Sequence, residues 1–121
     1  MSMRSFLRLG AALTFAFAAS AAFAHALLDK ATPPVGGTVS SANEIRLKFT
    51  EGLEAKFSGI ALSGPGGAVP LGAASVDPGD NSVLIAKIGK PLAPGTYTVK
   101  WHAVSVDTHH TQGDFDFTVK P

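Results

Sequence analysis

From Lys30 onward, apolar and polar residues alternate in short stretches that glycine and proline separate. Residues 44–51 (EIRLKFTE), 96–105 (TYTVKWHAVS) and 114–120 (DFDFTVK) place apolar side chains at every second position. A period of two is typical of a strand with one face buried and the other in water. The side chains predicted to face inward are Ile45, Leu47, Phe49, Tyr97, Val99, Trp101, Ala103, Phe115, Phe117 and Val119.

Four weaker alternating stretches complete the pattern, at residues 60–63, 68–71, 73–76 and 82–88. Turn signals rich in proline and glycine, such as SGPGGA, DPGDN and LAPGT, lie between the stretches. No ten-residue stretch after the N-terminal region has a clean helical period. We therefore predict an all-β fold, an immunoglobulin-like or Greek-key β-sandwich of about seven antiparallel strands.

The N-terminal region follows another pattern, with Arg4 and Arg8 ahead of an apolar run at residues 9–23. A basic start and a short apolar run are typical of a secretory signal peptide. A membrane-spanning helix needs about 20 apolar residues, which this run does not reach. We expect residues 1–24 to be a cleaved signal peptide and the protein to be exported to the periplasm.

Two cleavage positions satisfy the rule that small residues precede the cut. Ala22 and Ala24 place the cut before His25, which would then become the first residue of the mature chain. Ala24 and Ala26 place it after Ala26 and would discard the histidine. We favour the first cut, because a polar imidazole fits better after the apolar run than within its end. The predicted mature domain is residues 25–121.

Composition narrows the chemistry of this domain. Without Arg4 and Arg8 it has eight Lys or Arg against nine Asp or Glu, a formal net charge of −1 with neutral histidine. Such a balance gives no basic patch for nucleic acid or an anionic membrane. Cysteine is absent, and both methionines, Met1 and Met3, precede the predicted cut. The mature domain therefore has neither disulfides nor sulfur ligands for a metal. We expect it to be a monomer.

The candidate site is residues 105–114 (SVDTHHTQGD), between two of the clearest predicted strands. In an extended segment, Asp107 and His109 project from the same side, about 6.6 to 6.8 Å apart along the backbone, while His110 points away. A carboxylate and an imidazole at this spacing can both reach one metal ion. Taken alone, the pair is more simply interpreted as a solvated polar turn.

His25 strengthens the metal hypothesis if the signal is cut directly before it. Its free α-amine and its Nδ1 can then chelate the same ion. With Asp107 and His109 the set has three nitrogens and one oxygen, which suits Cu(II). Zn(II) would accept the same ligands, whereas Cu(I) is disfavoured because soft sulfur ligands are missing.

The sequence resembles the CopC family of periplasmic copper-binding, copper-resistance proteins over essentially the whole mature chain. The resembling segments are a leading histidine, ATPPVGGTV, IRLKFTEGLEAKFSGIAL and PGTYTVKWHAVSVDTHHTQGDFDFTV. The resemblance implies one Cu(II) ion per chain, held by His25 through its amine and imidazole and by Asp107 and His109. It also implies a partner of the CopD type, an inner-membrane copper permease.

The resemblance further places Glu51 near the copper, as an extra ligand or a partner of the N-terminus; an exposed acid at a strand end is the alternative. Family members that bind Cu(I) carry a methionine-rich segment that is missing here, which implies a protein for Cu(II) alone. His110 stands where proline is frequent, and we interpret it as an exposed neighbour or a weak substitute for His109. His102 shares a face with Lys100, which favours exposure over ligation.

Two other functions fit parts of the sequence. A histidine brace also occurs in copper monooxygenases that cleave polysaccharides, but these use a second histidine with open positions for oxygen and a flat aromatic surface for the substrate. Asp107 in the site and the small size of the domain argue against that role. An immunoglobulin-like interaction module with incidental histidines is the other alternative. We expect a copper-binding protein and not an enzyme.

Overall fold

The computed structural model describes residues 26–121, which form two packed sheets with nine strands. The four-stranded sheet runs in the order β1 (Leu28–Thr32), β3 (Glu44–Phe49), β7 (Asp80–Lys87), β6 (Ser75–Asp77). The five-stranded sheet runs in the order β2 (Thr38–Val39), β9 (His110–Val119), β8 (Gly95–Val104), β4 (Gly59–Gly64), β5 (Gly67–Val69). One 3-10 helix, Ala55–Phe57, precedes β4. The predicted β-sandwich is confirmed.

The predicted signal peptide, residues 1–24, lies outside the described residues, and so does His25. Among residues 26–121, no helix is long and apolar enough to cross a bilayer.

Two short strands were not predicted from the pattern. β1 carries charged residues and is only half-buried, so its sequence lacks clean alternation. β2 has two residues and pairs with β9 in parallel, whereas the other strand pairs in residues 26–121 are antiparallel. Both flank longer strands, and the neighbouring backbone determines their place.

The alternating stretches bury the predicted faces. Each of the ten side chains expected to face inward is at least about nine-tenths buried. Phe49 meets Trp101 edge to face, with ring centroids 5.0 Å apart, and Tyr97 stacks on Phe117 at 5.6 Å. Large apolar side chains buried in this way each stabilise the fold by roughly 1.5 to 3 kcal/mol.

β8 and β9 form a long hairpin that ends at the candidate site. They pair in register from Gly95 opposite Val119 to Val104 opposite His110. Gly113 lies opposite Trp101, and a Cβ there would come within 2.7 Å of Trp101 Cζ2. The absence of a side chain at this position therefore lets the indole lie across β9. The hairpin presents its connecting loop, residues 105–109, at one end of the sandwich.

Candidate metal centre

The loop between β8 and β9 is a tight turn. The Ser105 N–H donates to the His109 carbonyl at 3.0 Å, and the Thr108 N–H donates to the Ser105 carbonyl at 2.8 Å. Thr108 has a φ of 72°, in the left-handed region that a β-branched residue seldom adopts. The segment is therefore not extended, which was the condition for placing Asp107 and His109 on one side, because the chain reverses direction within five residues.

The turn nevertheless brings Asp107 and His109 together. Asp107 Oδ1 lies 3.2 Å from His109 Nδ1, and both side chains are about half exposed, at 48% and 46%. Two ligand atoms that are each about 2 Å from one ion, at tetrahedral or square angles, lie about 2.8 to 3.3 Å apart. The contact is a direct ion pair between the two side chains when His109 is protonated, and its length is also compatible with shared coordination of one ion.

Hydrogen bonding keeps the carboxyl of Asp107 ionised. The hydroxyl of Ser105 donates to Asp107 Oδ1 and is the largest cause that lowers the pKa of Asp107 below its usual value. Desolvation acts in the opposite direction, and His109 lowers the pKa further through hydrogen bonds and its charge. At neutral pH the loop therefore presents a carboxylate, the form that binds a cation.

A second segment, residues 50–54, packs beside this loop. The Val106 N–H donates to the Gly52 carbonyl at 2.9 Å, and Leu53 forms an isolated bridge with Ser105. Glu51, half-buried, therefore belongs to a segment fixed directly against the loop. The Glu51 backbone therefore lies beside the loop that carries Asp107 and His109.

The N-terminal end of the described chain is fixed at the same place. Ala26 is fully buried, and the Thr111 hydroxyl donates to its carbonyl at 2.9 Å. The Leu27 N–H donates to Thr50 Oγ1, and the Thr50 N–H donates back to the Leu27 carbonyl, both at 2.9 Å. Thr111 is two residues from His109 and Thr50 is next to Glu51. Ala26 and Leu27 are therefore held between the two segments.

The other histidines are placed differently. His110 is exposed at the first position of β9, opposite Val104. His102 is exposed on β8, and its ring lies over Gly59, where a Cβ would come within 2.5 Å of His102 Cε1. Within residues 26–121, no three His, Cys, Asp or Glu side chains are arranged to hold one metal ion. The described part of the chain thus brings two potential ligands together, Asp107 and His109.

Sequence reasoning missed three hydroxyl residues at this end of the fold: Ser105, Thr50 and Thr111. Serine and threonine are common in loops and at strand ends, so composition gives no signal for them. Ser105 is fully buried, although it lies in a polar loop. Only the folded arrangement reveals what these hydroxyl groups contact.

Comparison with known proteins shows which family the chain resembles. The CopC domain profile matches residues 28–120. Protein YobA of Escherichia coli K12 is 39% identical over 112 residues, which cover 91% of this chain and 90% of that protein. Copper resistance protein C of Escherichia coli is 39% identical over 110 residues, 84% of this chain and 86% of that protein. The crystal structure of PcoC, a methionine-rich copper resistance protein from Escherichia coli, superposes with a TM-score of 0.73 at 35% identity, covering 80% of this chain and 100% of that one.

Proposed function

Because the chain belongs to the CopC family, we propose that it binds one Cu(II) ion in the periplasm and serves copper resistance or homeostasis by sequestering or delivering the metal. The observation that carries this proposal is the 3.2 Å separation of Asp107 Oδ1 and His109 Nδ1. The pair lies beside the loop segment of Glu51 and the buried start of the described chain.

The remaining ligands are the α-amine and the imidazole of His25, released as the N-terminus by cleavage after Ala24. Burial of Ala26 supports this cut over the alternative one. Cleavage after Ala26 would remove a fully buried residue, and Thr111 would lose the carbonyl that accepts its hydrogen bond. A mature chain that begins at His25 keeps both contacts and starts one residue away from them.

The donor set favours Cu(II) over softer or harder ions. Two imidazoles, an amine and a carboxylate are nitrogen and oxygen donors, and Cu(II) stands first among divalent ions for such sites. The sequence has no cysteine, and its two methionines precede the proposed cut, so it lacks the sulfur donors that Cu(I) prefers. Copper is the cargo of the protein in this account. Asp107 would fill a coordination position that a copper oxygenase leaves open for oxygen, so we assign no catalysis.

Each group of the site has a defined part in binding. Asp107 supplies a negative charge that is already ionised, which offsets part of the positive charge of the metal. His109 and His25 must be neutral to donate their nitrogens, so binding releases protons. The protein acts as a monomer that passes copper to, or receives it from, a CopD-like inner-membrane permease.

A titration of the mature protein with Cu(II) tests the proposal. Asp107→Ala and His109→Ala should each weaken binding by about 100-fold or more, above the usual cost of losing a supporting residue. His102→Ala is the matched control, because His102 is an exposed histidine of β8 away from the loop, and it should leave affinity unchanged. Equal affinity in all four proteins would overturn the site.

A further inference from the structure

The buried residue Ser105 hydrogen-bonds to both proposed ligands, Asp107 and His109. It is fully buried, and within residues 26–121 its hydroxyl hydrogen-bonds to Asp107 and His109. The hydroxyl donates to Asp107 Oδ1 and accepts from the His109 N–H at 3.3 Å. We propose that Ser105 is a positioning residue that holds Asp107 and His109 in their metal-binding arrangement. This inference rests on the proposed copper site.

The turn itself does not need this hydroxyl. The main chain of Ser105 makes its own hydrogen bonds, from its N–H to the His109 carbonyl and from the Thr108 N–H to its carbonyl. These two bonds close the loop whatever side chain stands at position 105. The side chain therefore adds something more specific, which is a fixed orientation of the Asp107 carboxylate relative to His109.

The separation of the two side chains is compatible with one shared ion. Ser105 bonds the same carboxylate oxygen, Oδ1, that lies 3.2 Å from His109 Nδ1. Hydrogen bonds to ionised groups are short and strong, so the hydroxyl restrains the half-exposed carboxylate in one rotamer. Without it, Asp107 would turn freely in solvent and would have to be ordered when the metal binds, at a cost in affinity. Supporting contacts of this kind are worth about 10- to 100-fold in metal affinity.

Ser105→Ala tests the inference, with Ser58→Ala as its matched control. Ser58 is also buried, at 8% exposure, and its hydroxyl bonds only main-chain groups, the Glu54 carbonyl at 2.9 Å and the Val104 N–H at 3.0 Å. Both variants remove a buried serine hydroxyl at the same end of the sandwich. We expect Ser105→Ala to bind Cu(II) about 10- to 100-fold more weakly, and Ser58→Ala to bind within about threefold of wild type.

A double-mutant cycle separates positioning from general destabilisation. In an Asp107→Ala background, the Ser105 hydroxyl has lost the carboxylate that it orients. Adding Ser105→Ala there should cost less than about threefold in further affinity. The electron paramagnetic resonance spectrum of copper-loaded Ser105→Ala should keep the wild-type hyperfine pattern, because the ligands themselves are unchanged.

Several outcomes would overturn the inference: unchanged affinity in Ser105→Ala, an equal loss in Ser58→Ala, a full further loss in the Asp107→Ala background, or an altered hyperfine pattern. If Ser105→Ala does not fold, Ser105→Thr replaces it. That variant keeps the hydroxyl and must bind within about threefold of wild type; weaker binding by a folded protein contradicts the role. Failure of the copper site itself is distinguishable, since wild type would then bind no more tightly than His109→Ala.

Discussion

At the scale of single residues, the candidate site combines one group that is already ionised with others that must give up protons. The hydrogen bond from the Ser105 hydroxyl lowers the pKa of Asp107 below its usual value, and His109 has a smaller effect in the same direction. An α-amine titrates at about 7.7 to 8.0 and an imidazole near 6.5 in the absence of perturbation. Protons therefore compete with copper for the nitrogen ligands between about pH 8 and 5, whereas the carboxylate binds none in that range.

The predicted consequence is a steep fall in Cu(II) affinity as the pH is lowered from about 7.5 to 5. Asp107→Asn should bind more weakly at each pH but follow the same slope, because the lowered pKa of Asp107 keeps its titration outside this range. Copper titrations in non-coordinating buffers at a series of pH values measure both profiles. A flat wild-type profile would mean that carboxylates alone hold the metal.

At the scale of elements, Ala26 and Leu27 are attached to the end of the sandwich that carries the loop of residues 105–109. Thr111 on β9 holds the carbonyl of Ala26, and Thr50 after β3 holds both polar backbone groups of Leu27. These contacts join the first described residues to the segments on either side of the loop. If the mature chain begins at His25, as proposed, these contacts hold the two residues that follow its first residue.

Thr111→Val keeps the shape of the side chain but removes the hydrogen bond to Ala26. We expect Cu(II) affinity to fall several-fold, because the N-terminal ligands would need to be ordered on binding. Thr96→Val, another exchange in the same sheet, should have no effect on affinity, since Thr96 pairs with Thr118 toward the opposite end of the hairpin. Equal affinity of both variants and wild type would contradict a positioning role for the Thr111 contact.

A different pair of strands carries a stabilising charge cluster far from the loop in sequence. Asp80 on β7 accepts hydrogen bonds from the Ser82 N–H and hydroxyl and from Lys48 on β3, at 3.0, 2.6 and 2.9 Å. These bonds, from Ser82 first and then Lys48, lower the pKa of Asp80 well below its usual value. Because its pKa is lower in the folded state than the unfolded value of about 3.9, the Asp80 carboxylate stabilises the fold at pH values above about 3.9. This stabilisation is lost progressively as the pH falls below that value.

Asp80→Asn should therefore lower the melting temperature by a few degrees at pH 7, and the difference from wild type should shrink as the pH falls below about 4. Asp29→Asn, which changes an exposed acid of β1, is the charge-matched control and should have a smaller effect at pH 7. Thermal unfolding followed by circular dichroism at several pH values measures the difference. If the difference in melting temperature between Asp80→Asn and wild type grows as the pH falls below about 4, the stabilising role of the Asp80 carboxylate is contradicted.

At the scale of the whole molecule, alternation predicted most of the sandwich because burial of one strand face is what the pattern records. It could not predict β1 and β2, whose position depends on the backbones of β3 and β9. Spacing singled out Asp107 and His109 on the condition that the segment is extended, whereas a turn with a left-handed Thr108 brings them together. Thr111 gave no signal because its partner, the Ala26 carbonyl, is far away in sequence. Ser105 lies in the segment that the sequence singled out, but its bonds to Asp107 and His109 exist only once the turn has formed.

The hydrophobic core between the two sheets affects the candidate site only through the stability of the fold. Leu47 is fully buried between the sheets, and Leu47→Ala should destabilise the protein by about 2 to 5 kcal/mol through a cavity. Val35→Ala, at a position that is 61% exposed, should change the free energy of unfolding by less than about 0.5 kcal/mol. Denaturation followed by the fluorescence of Trp101 measures both. A loss in Val35→Ala as large as that in Leu47→Ala would contradict the assigned core.

The central claim for the whole molecule is that the mature chain begins at His25 and uses that terminus to bind copper. The most direct measurement is a Cu(II) titration of the exported protein, its first residue established by intact mass, beside the same protein with one alanine added before His25. We predict a mass that starts at His25, and binding at least about 100-fold weaker for the extended chain, because its α-amine is displaced from the imidazole. Equal affinity of the two proteins, or a mature chain that starts at Leu27 and binds copper as tightly, would contradict the account.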